Sequence, residues 1–368
     1  MAASTRLPVT VVTGFLGAGK TTLLRHLLLH SGQKLAVLVN EFGELGIDGE
    51  LLSACGFCDE DEREGRLVEL ANGCLCCTVQ EEFLPTMKRL LEQADQLDGI
   101  VVETSGLALP EPLVAAFGWP EIRARTRVHG VVTVVDGEAL AAGHVVGDAQ
   151  ALEDQRKADP SLEHIRAIED LFADQLQAAD LVLVSRADRL SAEALDGVVA
   201  SLRTRLREGT SVLPMQRGVI PPELVLAAPA QAGPSQAPSA NHHGPSHEHG
   251  DDHGHHHEHD HDHDNDEAHD HSHVAMHAVV VRRAGPWQRE ELERLLQQLI
   301  REQPVLRLKG RAQLEGKRLP LQIQAVGPRL ECWFEGSATG PAAEPGLELV
   351  VLGASADAQR LEEACAQL

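Results

Sequence analysis

The segment Gly14-Phe-Leu-Gly-Ala-Gly-Lys20-Thr21 constrains the fold of this chain more than any other feature. It has the form G-x-x-x-x-G-K-[ST], and it lies between an apolar run, PVTVVT, and a helical pattern, TLLRHLLLH. In that context backbone N–H groups surround phosphate oxygens at a helix N-terminus, the lysine neutralises the β- and γ-phosphates, and the hydroxyl ligates Mg²⁺. The sequence therefore predicts a nucleoside triphosphate site. The predicted binding residues of this P-loop are Gly14, Gly17, Gly19, Lys20, Thr21 and Thr22.

The order of elements in the first part of the chain predicts an α/β domain. Short runs of Val, Ile and Leu recur near Pro8, Leu35, Ile100, Val128 and Leu181, and helical patterns alternate with them. Runs without polar alternation are typical of strands buried on both faces, and hence of a parallel sheet covered by helices. We predict a P-loop domain with a mostly parallel sheet over residues 1–215.

The composition changes beyond about Met215. Pro, Ala, Gly, Ser and Gln dominate up to Ala240, and a tract of His, Asp and Glu follows. Because such a segment cannot form a buried core, residues 216–276 are predicted to be a disordered linker. Strand and helix patterns resume at His277–Arg283 and Arg289–Gln303. They predict a small α+β domain over residues 277–368.

A second segment suits the same nucleotide site. The apolar run Ile-Val-Val ends in Glu103, and Gly106 follows three residues later. A carboxylate at the end of a buried strand can hold the Mg²⁺ shell or its water, and the glycine N–H can contact the γ-phosphate. Lys20 and Glu103 are therefore the predicted catalytic residues, and Thr21 and Glu103 are the predicted magnesium ligands.

A third segment indicates which base is bound. Ser185, Arg186 and Asp188 stand at the end of a predicted strand, where guanine-binding P-loop proteins carry Asn-Lys-x-Asp. The carboxylate of Asp188 can accept hydrogen bonds from guanine N1–H and from its exocyclic amine, which adenine cannot offer. Arg186 can lay its guanidinium plane along the base. GTP is the favoured nucleotide, although Ser185 lacks the amide that usually braces this loop.

Three cysteines within four residues, Cys74, Cys76 and Cys77, precede a predicted helix. Thiolates at this spacing can face one Zn²⁺, Co²⁺ or Cu⁺ ion, and the helix start favours the anionic form of the thiol. The alternative is a set of small buried side chains. Cys55 and Cys58 form a C-x-x-C in an acidic segment and are only an accessory possibility as ligands.

The net charge of −24 arises from 32 basic and 56 acidic residues. A chain this acidic is a poor candidate for binding nucleic acid or anionic membranes, so neither is an expected partner. Fifteen of the 20 histidines lie within residues 241–277, together with ten acidic residues and no Lys or Arg. Neutral imidazoles bind divalent transition metals, so we interpret this tract as a weak, multivalent metal buffer. The alternative is a solvated disordered run without a metal function.

Taken together, the segments GFLGAGKTT, NEFGELGIDGELL, ELANGCLCCTV and ETSGLALPEPL resemble the CobW family of metal-binding GTPases. The likeness covers the N-terminal domain, and the His-rich linker and small C-terminal domain match the layout of that family. It implies a P-loop GTPase domain in which Cys74, Cys76 and Cys77 bind a metal ion for delivery to a client protein. For members that serve cobalamin biosynthesis, the expected metal is Co(II) and the expected client is cobaltochelatase.

Two other functions stay open at this stage. One is a Zn(II)-handling GTPase of the same family, since thiolates also favour Zn(II). The other is a metal-storage protein, without enzymatic activity, that uses the His-rich tract. GTP hydrolysis is expected to be slow without a partner, because the sequence offers no evident arginine finger.

The segment Asn40–Leu52 follows a predicted strand directly after the P-loop helix, where switch loops occur. We predict Glu41 and Asp48 as switch residues that couple GTP to the thiol site. The N-terminus has no basic segment followed by an apolar core and a cleavage site, so the expected location is the cytoplasm. No apolar run reaches the length of a membrane span.

Overall fold

A computed structural model describes residues 6–39, 67–69, 83–147, 150, 168–227, 275–335 and 345–368. Within these ranges the chain forms two sheets, one of seven strands and one of five. The seven-stranded sheet belongs to the N-terminal part of the chain and the five-stranded sheet to the C-terminal part. Among the described residues, no helix is long and apolar enough to cross a membrane.

The first sheet is parallel in every strand pair that the structure describes, in the order β3-β2-β4-β1-β5-β6-β7. Strands β4, β5 and β6 are buried along their whole length, because helices cover both faces of the sheet. This confirms the predicted α/β P-loop fold. The strands are β1 (Leu7–Thr13), β2 (Leu35–Val39), β3 (Leu67–Glu69), β4 (Gly99–Glu103), β5 (Thr126–Asp136), β6 (Leu181–Ser185) and β7 (Ser211–Pro214).

The helices of this domain form a layer on each face of the sheet. Helices α1 and α8 pack on one face, and α2, α3, α4, α6 and α7 pack on the other. Asp136 caps the short α5, and Ser191 caps α7. The helices are α1 (Lys20–His30), α2 (Leu84–Glu92), α3 (Pro110–Ala116), α4 (Pro120–Arg123), α5 (Gly137–Ala141), α6 (Ile168–Ala178), α7 (Ala192–Arg203) and α8 (Pro222–Val225).

The structure differs from the sequence prediction at the start of the linker. Residues 216–227, which the composition assigns to the disordered segment 216–276, pack against the nucleotide-binding domain. Ile220, Leu224 and Val225 are each at most 2% exposed. Thr10 on β1 also donates a hydrogen bond to the Val225 carbonyl at 3.2 Å. The sequence analysis missed this short apolar run because it stands among prolines. The average composition of a longer window does not reveal a few apolar residues that become buried.

The second sheet is antiparallel, in the order β11-β10-β9-β12-β8. Helix α9 presents Leu292, Leu296, Leu299 and Ile300 to one face of the sheet, at the spacing of a single helical stripe. This is the predicted small α+β domain. Its elements are β8 (Met276–Ala284), α9 (Arg289–Glu302), β9 (Val305–Gln313), β10 (Leu321–Val326), β11 (Arg329–Phe334), β12 (Gly346–Ala354) and α10 (Ala358–Ala366).

The two sheets meet at the amino end of β5. Leu306 and Val326 from the second domain join the hydrophobic core of the first. A Cβ on Gly130 would lie 3.4 Å from Val326 Cγ1, which shows how closely β5 and the β10–β11 turn approach each other. The nucleotide-binding segment follows the carboxyl end of β1, so the second domain docks on the opposite edge of the sheet.

Candidate nucleotide and metal site

The P-loop forms the turn that its glycines predict. Gly14, Gly17 and Gly19 have φ values of 135°, 74° and 102°, which L side chains rarely adopt. Helix α1 begins directly afterwards at Lys20. The Lys20 side chain is buried, and its Nζ donates a hydrogen bond to the Phe15 carbonyl at 3.2 Å. The loop is thus wound around its own lysine, in the form that can surround phosphate oxygens.

The structure brings Thr21 and Glu103 together beside the P-loop. The Thr21 hydroxyl donates to Glu103 Oε1 at 3.4 Å, across 82 residues of sequence. Glu103 is fully buried at the end of β4, and its register partners are Val12 on β1 and Val39 on β2. Hydroxyl and carboxylate oxygens are hard donors of the kind that Mg²⁺ prefers, so these two residues fit the predicted magnesium site. Thr22 is exposed on the next position of α1.

Gly106 lies against the backbone of the P-loop. A Cβ at this position would be 2.6 Å from the Leu16 nitrogen, which no side chain could accommodate without a shift of the loop. Gln175, fully buried on α6, donates through Nε2 to the carbonyls of Gly106 and Ala108, both at 3.2 Å. The sequence analysis did not identify Gln175, because a single glutamine on a helical pattern carries no signal of its partner.

The base-recognition loop also reaches the P-loop. A Cβ on Gly19 would lie 3.6 Å from Ser185 Cβ, and the Ser185 hydroxyl donates to the Val135 carbonyl at 3.1 Å. Arg186, with φ of 54°, donates through Nη2 to the Gly17 carbonyl at 3.1 Å. The loop that carries the predicted base contacts is therefore fastened to the phosphate-binding loop.

Two partners of this loop were missed from the sequence. Asp136, 5% exposed at the end of β5, forms an ion pair with Arg186 Nη1. Arg217 Nε lies 3.8 Å from Asp188 Oδ2, the carboxylate predicted to bind the base. Asp136 had an available signal, since it ends an apolar strand in the same way as Glu103 does. Arg217 had none, because it lies in the Pro-containing segment assigned to the linker.

The predicted metal ligands Cys74, Cys76 and Cys77 lie outside the described residues, as do Glu41, Asp48, Cys55, Cys58 and the His-rich tract apart from its last histidine, His277, which lies on β8. The part of the chain that the structure describes contains no group of three His, Cys, Asp or Glu side chains that could hold a metal ion. The remaining cysteines, Cys332 and Cys365, belong to the C-terminal domain and pack against its core. Burial raises the pKa of the Cys332 thiol to about 12, as expected for a packing residue.

Comparison with known families matches both domains. Residues 8–214 match the family described as CobW/HypB/UreG, nucleotide-binding domain. Residues 276–368 match the family described as Cobalamin synthesis protein cobW C-terminal domain. The two matches cover the parallel-sheet domain and the antiparallel-sheet domain in turn.

Two curated relatives are similar over nearly the whole chain. "Zinc chaperone CobW" of Pseudomonas aeruginosa is 46% identical over 354 residues, which are 96% of this chain and 88% of that protein. "Zinc chaperone CobW" of Sinorhizobium sp is 40% identical over 351 residues, 95% of this chain and 93% of that protein. "Zinc-regulated GTPase metalloprotein activator 1" of Dictyostelium discoideum is 30% identical over 230 residues, 57% of this chain and 47% of that protein.

Proposed function

The chain belongs to the CobW family of P-loop GTPases, and from this premise we propose that it is a GTP-hydrolysing metallochaperone whose cargo is Zn(II). The proposal that the chain binds and hydrolyses GTP is carried by the contact between Thr21 and Glu103 beside the P-loop. The proposal that Zn(II) is the cargo rests on two relatives, similar over nearly their whole length, whose names describe zinc chaperones. The thiol cluster Cys74, Cys76 and Cys77 is the proposed cargo site.

Each described residue of the nucleotide site has a task that follows from its position. Lys20 and the P-loop N–H groups bind the β- and γ-phosphates, and Gly106 offers its N–H to the γ-phosphate. Thr21 and Glu103 would hold Mg²⁺, which neutralises negative charge on the phosphates when it is bound. Arg186 and Asp188 bind the guanine base, with Ser185 anchored to the β5 backbone.

The register of the sheet supports a link between GTP and the thiol cluster. Val39, the last residue of β2, is the register partner of Glu69 on β3 and of Glu103 on β4. The chain leaving β2 runs into the predicted switch, and the chain leaving β3 runs toward Cys74. Both segments therefore begin on the same sheet edge, and at the same level, as the proposed magnesium ligand.

The distances allow the two sites to communicate. Neighbouring strands are about 4.8 Å apart, so the backbone of β3 lies about 10 Å from that of β4, with β2 between them. Cys74 is five positions after Glu69 in the sequence, and five extended residue steps can span about 17 Å. Cys74 can thus reach the γ-phosphate side of the nucleotide. We propose that GTP orders both segments, through Glu41 and Asp48, and that hydrolysis loosens the metal site.

The choice between Zn(II) and Co(II) as the delivered metal is a separate part of the proposal. Divalent Co binds less tightly than Zn at most sites of nitrogen and sulfur ligands, so thiolates alone favour Zn(II). The names of the two near full-length relatives point the same way. Co(II) delivery to cobaltochelatase, which the family resemblance implies, stays a prediction that the same measurement decides.

The His-rich tract is proposed as a separate, weak reservoir for the cargo metal. Fourteen of its 15 histidines lie between the two domains in the sequence, and its acidic residues add to the attraction for cations. A reservoir of this kind binds several ions weakly, whereas three clustered thiolates bind one ion tightly. Deleting residues 241–273 should therefore lower the metal stoichiometry and leave the tight site intact.

The test is a competition between buffered Zn(II) and Co(II), performed on the full chain and on the deletion variant. Affinities are measured without nucleotide, with GDP, and with a non-hydrolysable GTP analogue, each in the presence of Mg²⁺. We expect the GTP analogue to tighten Zn(II) binding by at least about tenfold, which corresponds to about 1.4 kcal/mol of coupling. Linkage requires that Zn(II) tighten binding of the analogue by the same factor.

Three variants separate the parts of the proposal. Cys76→Ser should abolish the tight site, whereas Cys332→Ser, a thiol of the C-terminal core, should retain it. Lys20→Ala should abolish GTP turnover and the effect of nucleotide on metal affinity.

Equal metal affinity in all three nucleotide states would contradict the proposed coupling between GTP and the metal site. Tight, nucleotide-dependent binding of Co(II) at buffered cellular Zn(II) levels would overturn zinc as the cargo, and absent wild-type turnover would leave a storage protein.

A further inference from the structure

The docking edge of the two domains contains a largely buried cluster of basic side chains. Arg127 and His129 come from β5, and Arg307 and Lys309 come from β9. Arg127, His129 and Arg307 are each at most 8% exposed. A fifth basic side chain, that of Arg329, approaches from the β10–β11 turn. Burying several like charges together is costly unless opposite charges or hydrogen bonds compensate.

The backbone directs His129 into this interface. The register between β1 and β5 pairs Val9 with Val128 and Thr10 with Gly130, so His129 is an extra residue in β5. Such a β-bulge turns a side chain away from the direction that the pleat would give it. Gly130, the next residue, is the point at which Val326 of the C-terminal sheet touches β5. The bulge thus lies directly under the second domain.

The cluster contains hydrogen-bonding atoms that lack partners. Within the described part of the chain, His129 Nε2, Arg307 Nη2 and Gln324 Oε1 are buried and accept or donate no hydrogen bond. Gln324 is the register partner of Lys309, and Arg307 is the register partner of Val326. The three atoms therefore come from adjacent positions around the same contact. Buried polar atoms without partners are rare, and a bound ion or water commonly satisfies them.

The charges near His129 are unbalanced. Burial is the main reason that the pKa of His129 lies well below its usual value, and the cations Arg307, Arg127, Arg329 and Lys309 lower it further. The ring is therefore neutral at pH 7. Two of these cations have carboxylate partners, since Glu331 pairs with Arg127 at 3.3 Å and Asp180 pairs with Arg329 and with Arg207. Arg307 Nη1 donates to the carbonyls of Glu223 and Leu226, so Arg307 and Lys309 are the two cations that form no ion pair within the described part of the chain.

We propose that this interface is a binding site for a small oxyanion of the phosphate class, held by His129, Arg307 and Lys309. A tetrahedral oxyanion accepts several hydrogen bonds at once and carries the negative charge that the cluster lacks. It would accept hydrogen bonds from His129 Nε2–H and Arg307 Nη2–H together, and the half-buried Lys309 would close the site toward solvent. Gln324 Oε1 is itself an acceptor, so it is not one of the groups that would bind the anion. Because its ligands come from β5 and β9, the anion would strengthen the contact between the two domains.

The experiment uses the full chain, free of transition-metal ions, with the P-loop filled by Mg²⁺ and a non-hydrolysable GTP analogue. Filling the P-loop prevents phosphate from binding there. Inorganic phosphate is titrated against chloride at constant ionic strength, and a second titration uses sulfate. The thermal midpoint and the heat of binding are recorded. We expect saturable stabilisation of the wild type by phosphate or sulfate, since a ligand that binds only the folded state raises the midpoint.

The two matched variants change positions that are two residues apart on β9. Lys309→Gln removes a charge from the proposed site and should weaken phosphate binding by at least about tenfold. Arg311→Gln removes the same charge from the same strand, at an exposed position paired with Glu348, and should retain wild-type affinity. Wild-type affinity in Lys309→Gln, or an equal loss in Arg311→Gln, would overturn the proposal. So would a wild-type midpoint that does not saturate with phosphate.

A measurement on the wild type keeps the test independent of how the variants fold. The ring signals of His129 can be assigned from the spectrum of His129→Gln. They should shift during the phosphate titration, with the same midpoint as the binding heat. A His129 signal that stays unchanged at phosphate saturation would exclude contact between the anion and this ring.

Discussion

At the scale of single residues, Asp136 links the base-recognition loop to the end of the central strand. Its Oδ1 accepts hydrogen bonds from the N–H groups of Glu138 and Ala139, at 3.0 and 3.2 Å. These contacts cap α5. Its Oδ2 forms the ion pair with Arg186, which in turn donates to the Gly17 carbonyl of the P-loop. One buried carboxylate thus orients the arginine that spans the phosphate and base halves of the site.

This arrangement predicts the effect of Asp136→Asn on nucleotide binding. The amide oxygen can still cap α5, but the charge that holds Arg186 is lost. We expect affinity for GTP and GDP to fall by roughly tenfold, because a charge-assisted contact is replaced by a neutral one. The midpoint of thermal unfolding should change little. Binding of a fluorescent guanine nucleotide measures the effect.

Glu138→Gln is the matched control for Asp136→Asn. Glu138 also lies near Arg186, with 3.7 Å between Oε2 and Nε, but about 40% of its side chain is exposed. Solvent screens such a pair, so nucleotide affinity should stay within about twofold of the wild type. Wild-type affinity in Asp136→Asn, or a larger loss in Glu138→Gln, would show that the buried carboxylate does not orient Arg186.

At the scale of elements, the loop that follows β4 and the P-loop that follows β1 support each other. The two strands are neighbours, with Val12 in register with Glu103. Thr104 Oγ1 donates to Thr13 Oγ1 at 2.9 Å directly above that pair. The close approach of Gly106 to Leu16 completes the contact, and Gln175 on α6 holds it from the other side. The P-loop conformation therefore depends on a loop about 90 residues away.

Gly106→Ala should disturb both loops. A methyl group at 2.6 Å from the Leu16 nitrogen forces the P-loop backbone to move. We expect the free energy of unfolding to fall by about 1–3 kcal/mol, as for other overpacked positions. Nucleotide affinity should fall as well. Chemical denaturation and nucleotide binding by the same preparation provide the two measurements.

Gly197→Ala provides the comparison, since a Cβ on Gly197 in α7 would meet no atom within 4 Å. Alanine is the better helix former by about 1 kcal/mol, so this variant should be as stable as the wild type or more stable. It should bind nucleotide normally. Unchanged stability and nucleotide affinity in Gly106→Ala would show that the P-loop can move away from the added methyl group without loss of stability.

At the scale of the whole molecule, the C-terminal domain docks through polar contacts around a buried carboxylate. Asp180, fully buried before β6, accepts from the Val131 N–H at 2.9 Å and pairs with Arg207 at 2.9 Å. Arg329 reaches the same carboxylate from the second domain at 2.5 Å. Asp180 is also next to the β10–β11 turn, since a Cβ on Gly327 would overlap its carbonyl. The contact therefore ties the second domain to the start of the strand that carries Ser185.

Arg329→Gln should weaken this docking without unfolding either domain. Asp180 keeps Arg207 and the Val131 N–H as partners, so its charge remains compensated. We expect the free energy of unfolding to fall by about 1–2 kcal/mol, and cleavage by a protease between the domains to become faster. Arg318→Gln, at an exposed position of the same domain, should change neither. Unaltered stability and cleavage in Arg329→Gln would show that the apolar contacts between the two domains are enough to hold them together.

Features that depend only on neighbouring residues could be predicted from the sequence. The P-loop, the buried parallel strands, the order of the two domains, the thiol cluster and the uneven charge are all patterns within short windows. The tertiary structure decided which distant side chains meet. The Asp136–Arg186, Gln175–Gly106 and Asp180–Arg329 contacts join residues 50, 69 and 149 positions apart. The cations around His129 likewise come from two domains. Local periodicity carries no information about such pairs, because chain crossings and domain docking bring them together.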